Sequence, residues 1–389
     1  MWATDHGRYM TNSMASRWLI AVLPASLYKM NADGTNLTVM SATREIVNSF
    51  NELAHHGVDV RDVASLGGGL AVANLKFMVM GFRGDWKAYV QVFGFCRAPN
   101  TDEVCWLCEG SKGVHNMATA ITDVSENAYW RRTYLNSSPW TSIPPYATLH
   151  GFRLEMVVPD LLHMWNLGMA RDLAGSVLKI ICREQHVFNG PNIEARLRQA
   201  TDSLKTFARS NGHCLRIKRI TRAKLHWETR KYPEFMASGH DSYVALAWLD
   251  ECLKPYQQRY GDLCTLLFTS NWCFRLFYAN TGWFLSEGER QTVRVLGRIF
   301  LQVYARCALD AVRQRDLLFR WRPKSHMIDH VFECRRAINP ARYSTWLDED
   351  WLKKLSKNLQ MTASKTAQVG VLQRWLMALP EAIDKAGRD

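Results

Sequence analysis

The apolar residues of this 389-residue chain change their spacing near residue 160, and that change limits the folds open to it. Before that point they come mostly in short runs closed by turn residues. Ser16 to Tyr28 is one such run, followed by the turn Asn31-Ala32-Asp33-Gly34. Leu75 to Phe82 and Phe152 to Val158 are two more, and each reads as a buried strand. One helix interrupts them, over 41–56, where Ile46, Val47, Phe50 and Leu53 share a face, and Gly67-Gly68-Gly69 then breaks the chain. Beyond Asp160 the pattern is helical through Ile181 and over most of 194–311, most clearly in Tyr243 to Leu253 and Gln291 to Cys307. Asp348 to Leu379 reads as one or two further helices with a basic face. Strands followed by helices predict a mixed α/β fold with a large helical addition.

An apolar content of 47% supplies a substantial core, so the chain is not a disordered one. Lys and Arg exceed Asp and Glu by 49 to 36, an imbalance that favours polyanionic partners such as nucleic acid. The first residues hold no basic segment followed by an apolar one, and no apolar run approaches the ~20 residues that cross a bilayer. The expectation is therefore an intracellular protein of nucleus or cytoplasm, without signal peptide or transmembrane helix, whose ten cysteines are reduced or metal-bound.

Candidate chemistry lies in four places. Asp85 follows the second apolar run, where a carboxylate leaving a sheet can hold a hard divalent cation, although an ordinary turn aspartate would look the same. Cys105 and Cys108 have the spacing of half a zinc site, which Cys96 or His115 could complete. Asp160 and His163 lie three apart on one helical face, where they suit a metal or phosphate; taken in isolation, Asp160 reads better as a helix cap with His163 partly packed. His326 and His330 have metal-ligand spacing but lack the glutamate of a zinc-protease motif, and Asp348-Glu349-Asp350 fits the positive end of a helix dipole. A basic stretch from Arg209 to Lys231, with Arg216, Lys218, Arg219, Arg222 and Lys224 at its centre and Trp227 among them, could contact phosphates and stack on bases.

The order of these clusters resembles the transposases of CACTA-type (En/Spm-like) DNA transposons and their relatives. Asp85-Trp86-Lys87-Ala88-Tyr89 stands for an Asp-Phe-Pro-Ala-Tyr segment, and Cys105 to Cys108 for the CxxC pair that follows it. Asp160-Leu161-Leu162-His163 with Asn166 is similar to an Asp-x-Met-His segment. Lys324 to His330 is similar to Lys-x-His-x-x-x-His, and Trp346 to Asp350 to an aromatic with Phe-x-x-Glu-Arg. Trp86-Lys87 departs from Phe-Pro, and Asp350 stands where Arg is usual.

The resemblance spans roughly 75–379 and implies an RNase H-like core over 1–175 that includes the CxxC loop. A helical insertion over 176–320 and a C-terminal helical segment over 321–389 returning to the core would follow. Asp85 would be the second catalytic acid and Glu349 the third, with Asp160 and His163 an accessory motif. Asp5 would be the first acid, close to the N-terminus as in a truncated copy. Asp85, Asp160 and Glu349 would bind Mg²⁺ or Mn²⁺ for phosphodiester cleavage and strand transfer on DNA, an activity that this copy could also have lost. A homo-oligomer is compatible with this reading and a membrane partner is not.

Overall fold

In a computed structural model, the structure describes residues 23, 28–32, 34–61, 70–228, 230–280, 282–362 and 367–386. Among them the fold is mostly helical, with a single two-stranded sheet. In chain order the elements are α1 (Leu37–His55), β1 (Val58–Arg61), β2 (Leu70–Leu75), α2 (Trp86–Phe93), the short α3 (Tyr129–Arg132), a widened π-type turn (Leu162–Met169) and α4 (Ala170–Glu184). Then come α5 (Ile193–Ser210), α6 (Gly239–Leu253), α7 (Gly261–Ala279), α8 (Glu287–Arg313), α9 (Pro323–Glu333), α10 (Trp346–Gln360) and α11 (Ala367–Ala386). The chain divides into two compact units. One comprises 1–98, 138–158 and 344–389, and the other 99–137 and 159–343.

In the first unit the strand-rich expectation is corrected. β1 and β2 pair antiparallel, but β2 ends at Leu75, where the apolar run expected as a strand begins. Residues 76–81 form no ladder, and Phe77, Met78 and Met80 are exposed. An apolar run gives a strand only where a neighbour satisfies its backbone. Here Phe77 N–H donates only to Leu53 O on α1, and Phe82 forms the single bridge, parallel with Val157, in which Phe82 N–H donates to Met156 O and Val158 N–H to Phe82 O. The run Phe152 to Val158 likewise contains a 3₁₀ turn, Leu154–Met156, instead of a full strand. The Tyr89 hydroxyl lies 2.8 Å from Phe82 O and 2.9 Å from Val158 O and ties α2 to this junction. The expected strand over 16–28, the Gly67 to Gly69 break and Asp5 lie outside the described residues, apart from positions 23 and 28. The helix expected over 41–56 is α1, capped by Asn36, whose side chain accepts from Val39 N–H. The C-terminal segment forms two helices, α10 and α11, joined through Trp375 packed on Trp351 and Leu355.

The second unit is built of helices that start on capping residues. Asn192 caps α5, Ser238 caps α6, and Ser286 with Glu289 forms a reciprocal capping box at α8. Its core centres on Trp165, stacked on Phe274 with ring centroids 4.0 Å apart, with Phe300 and Phe332 against the same group. At Gly297 a Cβ would sit 2.3 Å from the Phe332 side chain, so only glycine lets α8 approach α9 this closely. That approach places α9 in the interior, with every residue from Ser325 to Phe332 buried.

Candidate metal centre

Helix α9 begins with Pro323 at its first turn and ends at Cys334, whose left-handed φ of 43° stops it. Within this helix His326 and His330, four apart, project from one face. Facing them is the loop of Cys105 and Cys108, closed by Val104 N–H donating to Gly110 O. The Cys105 Sγ accepts from Leu107 N–H and the Cys108 Sγ from Gly110 N–H, each at 3.3 Å, so the backbone already directs both sulfurs inward.

All four donor atoms lie within 4.8 Å of one another and all four residues are buried. Cys105 Sγ is 3.3 Å from His330 Nε2, and Cys108 Sγ is 3.3 Å from His326 Nε2 and 3.4 Å from His330 Nε2. The two Nε2 atoms are 3.2 Å apart. A tetrahedral Zn²⁺ with Zn–S near 2.3 Å and Zn–N near 2.05 Å would have N···N and S···N edges of about 3.3 to 3.6 Å. The three S···N and one N···N contacts given above, at 3.2 to 3.4 Å, are slightly shorter than those edges. The donor chemistry agrees, because thiolate with imidazole in fourfold geometry selects zinc over a hard cation. Burial raises the Cys105 thiol, but its hydrogen bond with Cys108 and the charges of His330 and His326 outweigh this and hold it well below its ordinary value.

The surrounding residues hold the loop on the helix. Trp130 of α3 packs edge-on to both imidazoles, 4.4 Å from His326 and 5.4 Å from His330 between centroids. Arg131 beside it donates to both carboxylate oxygens of Asp329, at 2.9 and 2.7 Å, and to Glu333 at 2.5 Å. Asp329 is pushed up by its burial and drawn back by Arg131. At Gly110 a Cβ would stand 2.7 Å from His326 Nε2, so a side chain there would collide with a ligand.

Neither residue expected to complete the cysteine pair does so. Cys96 is exposed and its thiol meets Pro139 O at 2.9 Å, and His115 is exposed on a turn. The donors that complete the set are those of His326 and His330, which the sequence presents as a cluster of their own. Compared with known proteins, the chain matches no family model and no curated sequence.

The other candidate residues are placed as follows. Asp85 caps α2, its Oδ1 accepting from Ala88 N–H at 2.6 Å. Asp160 is fully buried and also caps: Oδ1 accepts from Leu162 N–H, Oδ2 from His163 N–H, and His163 Nδ1 lies 2.5 Å from Oδ2. Asn166 is buried and accepts from the Tyr278 hydroxyl. Glu349 lies in the first turn of α10, and its neighbour Asp348 pairs with Arg83 at 3.0 Å. Within either unit, among the described residues, no second group of three or more metal-type ligands converges. Arg216, Lys218, Arg219, Arg222 and Lys224 are all exposed, and Arg222 pairs loosely with Glu194 at 3.6 Å. Trp227 is buried, which corrects its expected role in stacking on bases. No helix among the described residues is long and apolar enough to cross a membrane.

Proposed function

We propose that the chain is a DNA-binding protein of transposase descent, in which a structural Zn²⁺ on Cys105, Cys108, His326 and His330 fastens the CxxC loop to α9. One observation carries this reading. The CxxC and Lys-x-His-x-x-x-His segments, two separate landmarks of the resemblance, meet at one buried set of four donors. Two contacts in the first unit support the RNase H-like part of the proposal. The parallel Phe82–Val157 bridge joins the two segments expected as strands, and the Arg83–Asp348 pair brings the chain beside Asp85 to the helix that bears Glu349.

The bound ion would neutralise two thiolates and orient the imidazoles, and would do no chemistry on a substrate, because all four positions are protein ligands. The exposed cations from Arg209 to Lys231 would contact phosphates without reading bases. Cleavage on Mg²⁺ or Mn²⁺ has weaker support, since Asp85 and Asp160 already serve as helix caps. The protein is in this reading a binder that uses its acids structurally.

Three measurements on the purified protein test this: zinc content, binding of a labelled DNA duplex across a salt series, and Mg²⁺- or Mn²⁺-dependent nicking of supercoiled DNA. One equivalent of zinc with salt-dependent binding and no nicking is expected. Nicking abolished by Asp85→Ala and Glu349→Ala would replace the binder with a working nuclease, and absence of DNA binding would overturn the proposal.

A further inference from the structure

The C-terminal half of α5 and the loop that follows it enclose a cleft of about 490 Å³, lined by Lys205, Ala208, Arg209, His213, Leu215, Ile217 and Lys218. Three lining residues are permanent cations and one is a histidine, with no carboxylate among them. Lys205, Arg209 and Lys218 enter no ion pair among the described residues. The Arg209 Nε donates only to the Lys205 carbonyl, at 3.3 Å. Three like charges in one concavity repel each other unless an anion joins them.

The loop does not owe its shape to those charges. Asp241, buried in the first turn of α6, accepts from the backbone N–H of Arg216 at 3.0 Å and of Ile217 at 2.9 Å. Thr201 on α5 accepts from Ile220 N–H, and Ala208 O accepts from His213 N–H. The cleft wall is therefore fixed by neutral backbone bonds and one buried carboxylate, and its cations are presented without an anionic partner among the described residues.

We propose that this cleft binds the sugar–phosphate backbone of DNA, with Lys205, Arg209 and Lys218 on the phosphates and Leu215 and Ile217 against the sugars. The assignment rests on the DNA-binding reading above and, of the basic stretch centred on residues 216–224, keeps Lys218 and adds Lys205 and Arg209 in place of Arg219, Arg222 and Lys224. The cleft volume lies in the ~300 to 1,000 Å³ range of small-molecule sites, enough for a nucleotide unit. Its lining contains no Phe, Tyr or Trp, so it offers no platform for base stacking and would not distinguish sequences.

The test is fluorescence anisotropy of the full chain with a labelled duplex over a range of salt. It compares wild type, the triple variant Lys205→Gln/Arg209→Gln/Lys218→Gln, and the triple variant Arg219→Gln/Arg222→Gln/Lys224→Gln. The cleft variant should bind at least about tenfold more weakly near 0.1 M salt, with a log–log salt slope shallower by about 2 to 3, at ~0.9 for each phosphate no longer neutralised. The other variant should change the slope by less. Wild-type binding that the cleft variant retains with an equal slope would overturn the cleft assignment and leave the DNA-binding reading standing. No binding by wild type would remove both. A readout independent of variant folding is acetylation of the wild-type lysines with and without duplex. Protection of Lys205 and Lys218 is expected, and equal labelling of both in the two states would overturn the proposal.

Discussion

The Sγ of Cys105 and the Nε2 of His330 lie 3.3 Å apart, although 225 positions separate the two residues along the chain. Bare contact among two buried thiols and two buried imidazoles leaves donors and lone pairs in mutual conflict, which a shared cation resolves. Replacing Cys108 with Ser or His330 with Ala should abolish stoichiometric zinc. Structural zinc in small fingers contributes about 10 to 16 kcal/mol, comparable to the whole stability of a domain at about 5 to 15 kcal/mol. Calorimetry of these variants, or of wild type with a strong chelator, should show the transition of the larger unit abolished or lowered by more than about 10 °C, since ~1 kcal/mol shifts a domain of this size by a few degrees.

Gly110 gives a finer test of the same centre. A Cβ there would stand 2.7 Å from the ligating nitrogen of His326, and Ile121 closes the other side at 3.0 Å. Gly110→Ala should keep all four donors yet weaken zinc by about 10- to 100-fold, the size of effect seen when groups around a metal's ligands are disturbed. Competition with a coloured chelator would measure this; unchanged affinity would mean that the loop does not sit against His326 in this way.

Arg131 is the clamp beside the Cys–His cluster. Its guanidinium spans both oxygens of buried Asp329 and reaches Glu333. Arg131→Ala leaves the Asp329 carboxylate buried without its partner, and breaking such a pair costs about 3 to 5 kcal/mol. Arg131→Lys should recover only part of that, because an ammonium cannot match the two-point geometry. Denaturant melts with zinc content measured in parallel would separate this destabilisation from release of the metal.

Asp85 separates a cap from a catalyst. As a cap, Asp85→Ala should cost about 1 kcal/mol in chemical denaturation, while Asp85→Asn, which keeps an accepting oxygen, should cost a few tenths. A carboxylate acting on a metal would instead lose its activity equally with either substitution.

Asp172 supplies a pH dependence. Burial outweighs the Arg322 guanidinium 2.6 Å away and pushes its carboxyl up to about 7 from an ordinary 3.8. Between those values the folded state holds a proton that the unfolded state has released. Its contribution to stability is thus complete near pH 4 and is lost as pH rises through about 7. Stability of wild type relative to Asp172→Asn should fall by about 2.5 kcal/mol from pH 5 to pH 7.5, at ~1.4 kcal/mol per unit. Urea melts of both proteins at the two pH values would show it, and the difference between them cancels the acid sensitivity of the zinc ligands.

The sequence carries much of the helical half and little of the other. Tyr243 to Leu253 and Gln291 to Cys307 are periodic enough that α6 and α8 follow directly, and the N-terminal cap of α8 is written in Ser286 and Glu289. Residues 76–81 show the opposite case. A run such as Lys76 to Met80 is largely apolar in sequence, but strand pairing depends on a distant neighbour, and between 76 and 82 only Phe82 forms a bridge. Both halves of the metal centre are visible as Cys105-x-x-Cys108 and His326-x-x-x-His330, whereas their union is not. It is decided by Trp130, Arg131 and the close packing at Gly297, contacts that local spacing does not encode. Trp227 fails for a similar reason, since an aromatic among cations looks available for stacking until its burial is known.

The two ligand pairs also set a timetable. The intervals between paired donors, 218 to 225 positions, include nearly the whole helical unit, so the cysteines must wait through synthesis of almost all of it before a histidine arrives. Closing a loop of that length costs about 5 kcal/mol in chain entropy, which the completed coordination shell offsets only at the end. Metal uptake would therefore mark the finish of folding in this unit, and a chain stopped before His326 would emerge from the ribosome carrying a half-built site of two thiols.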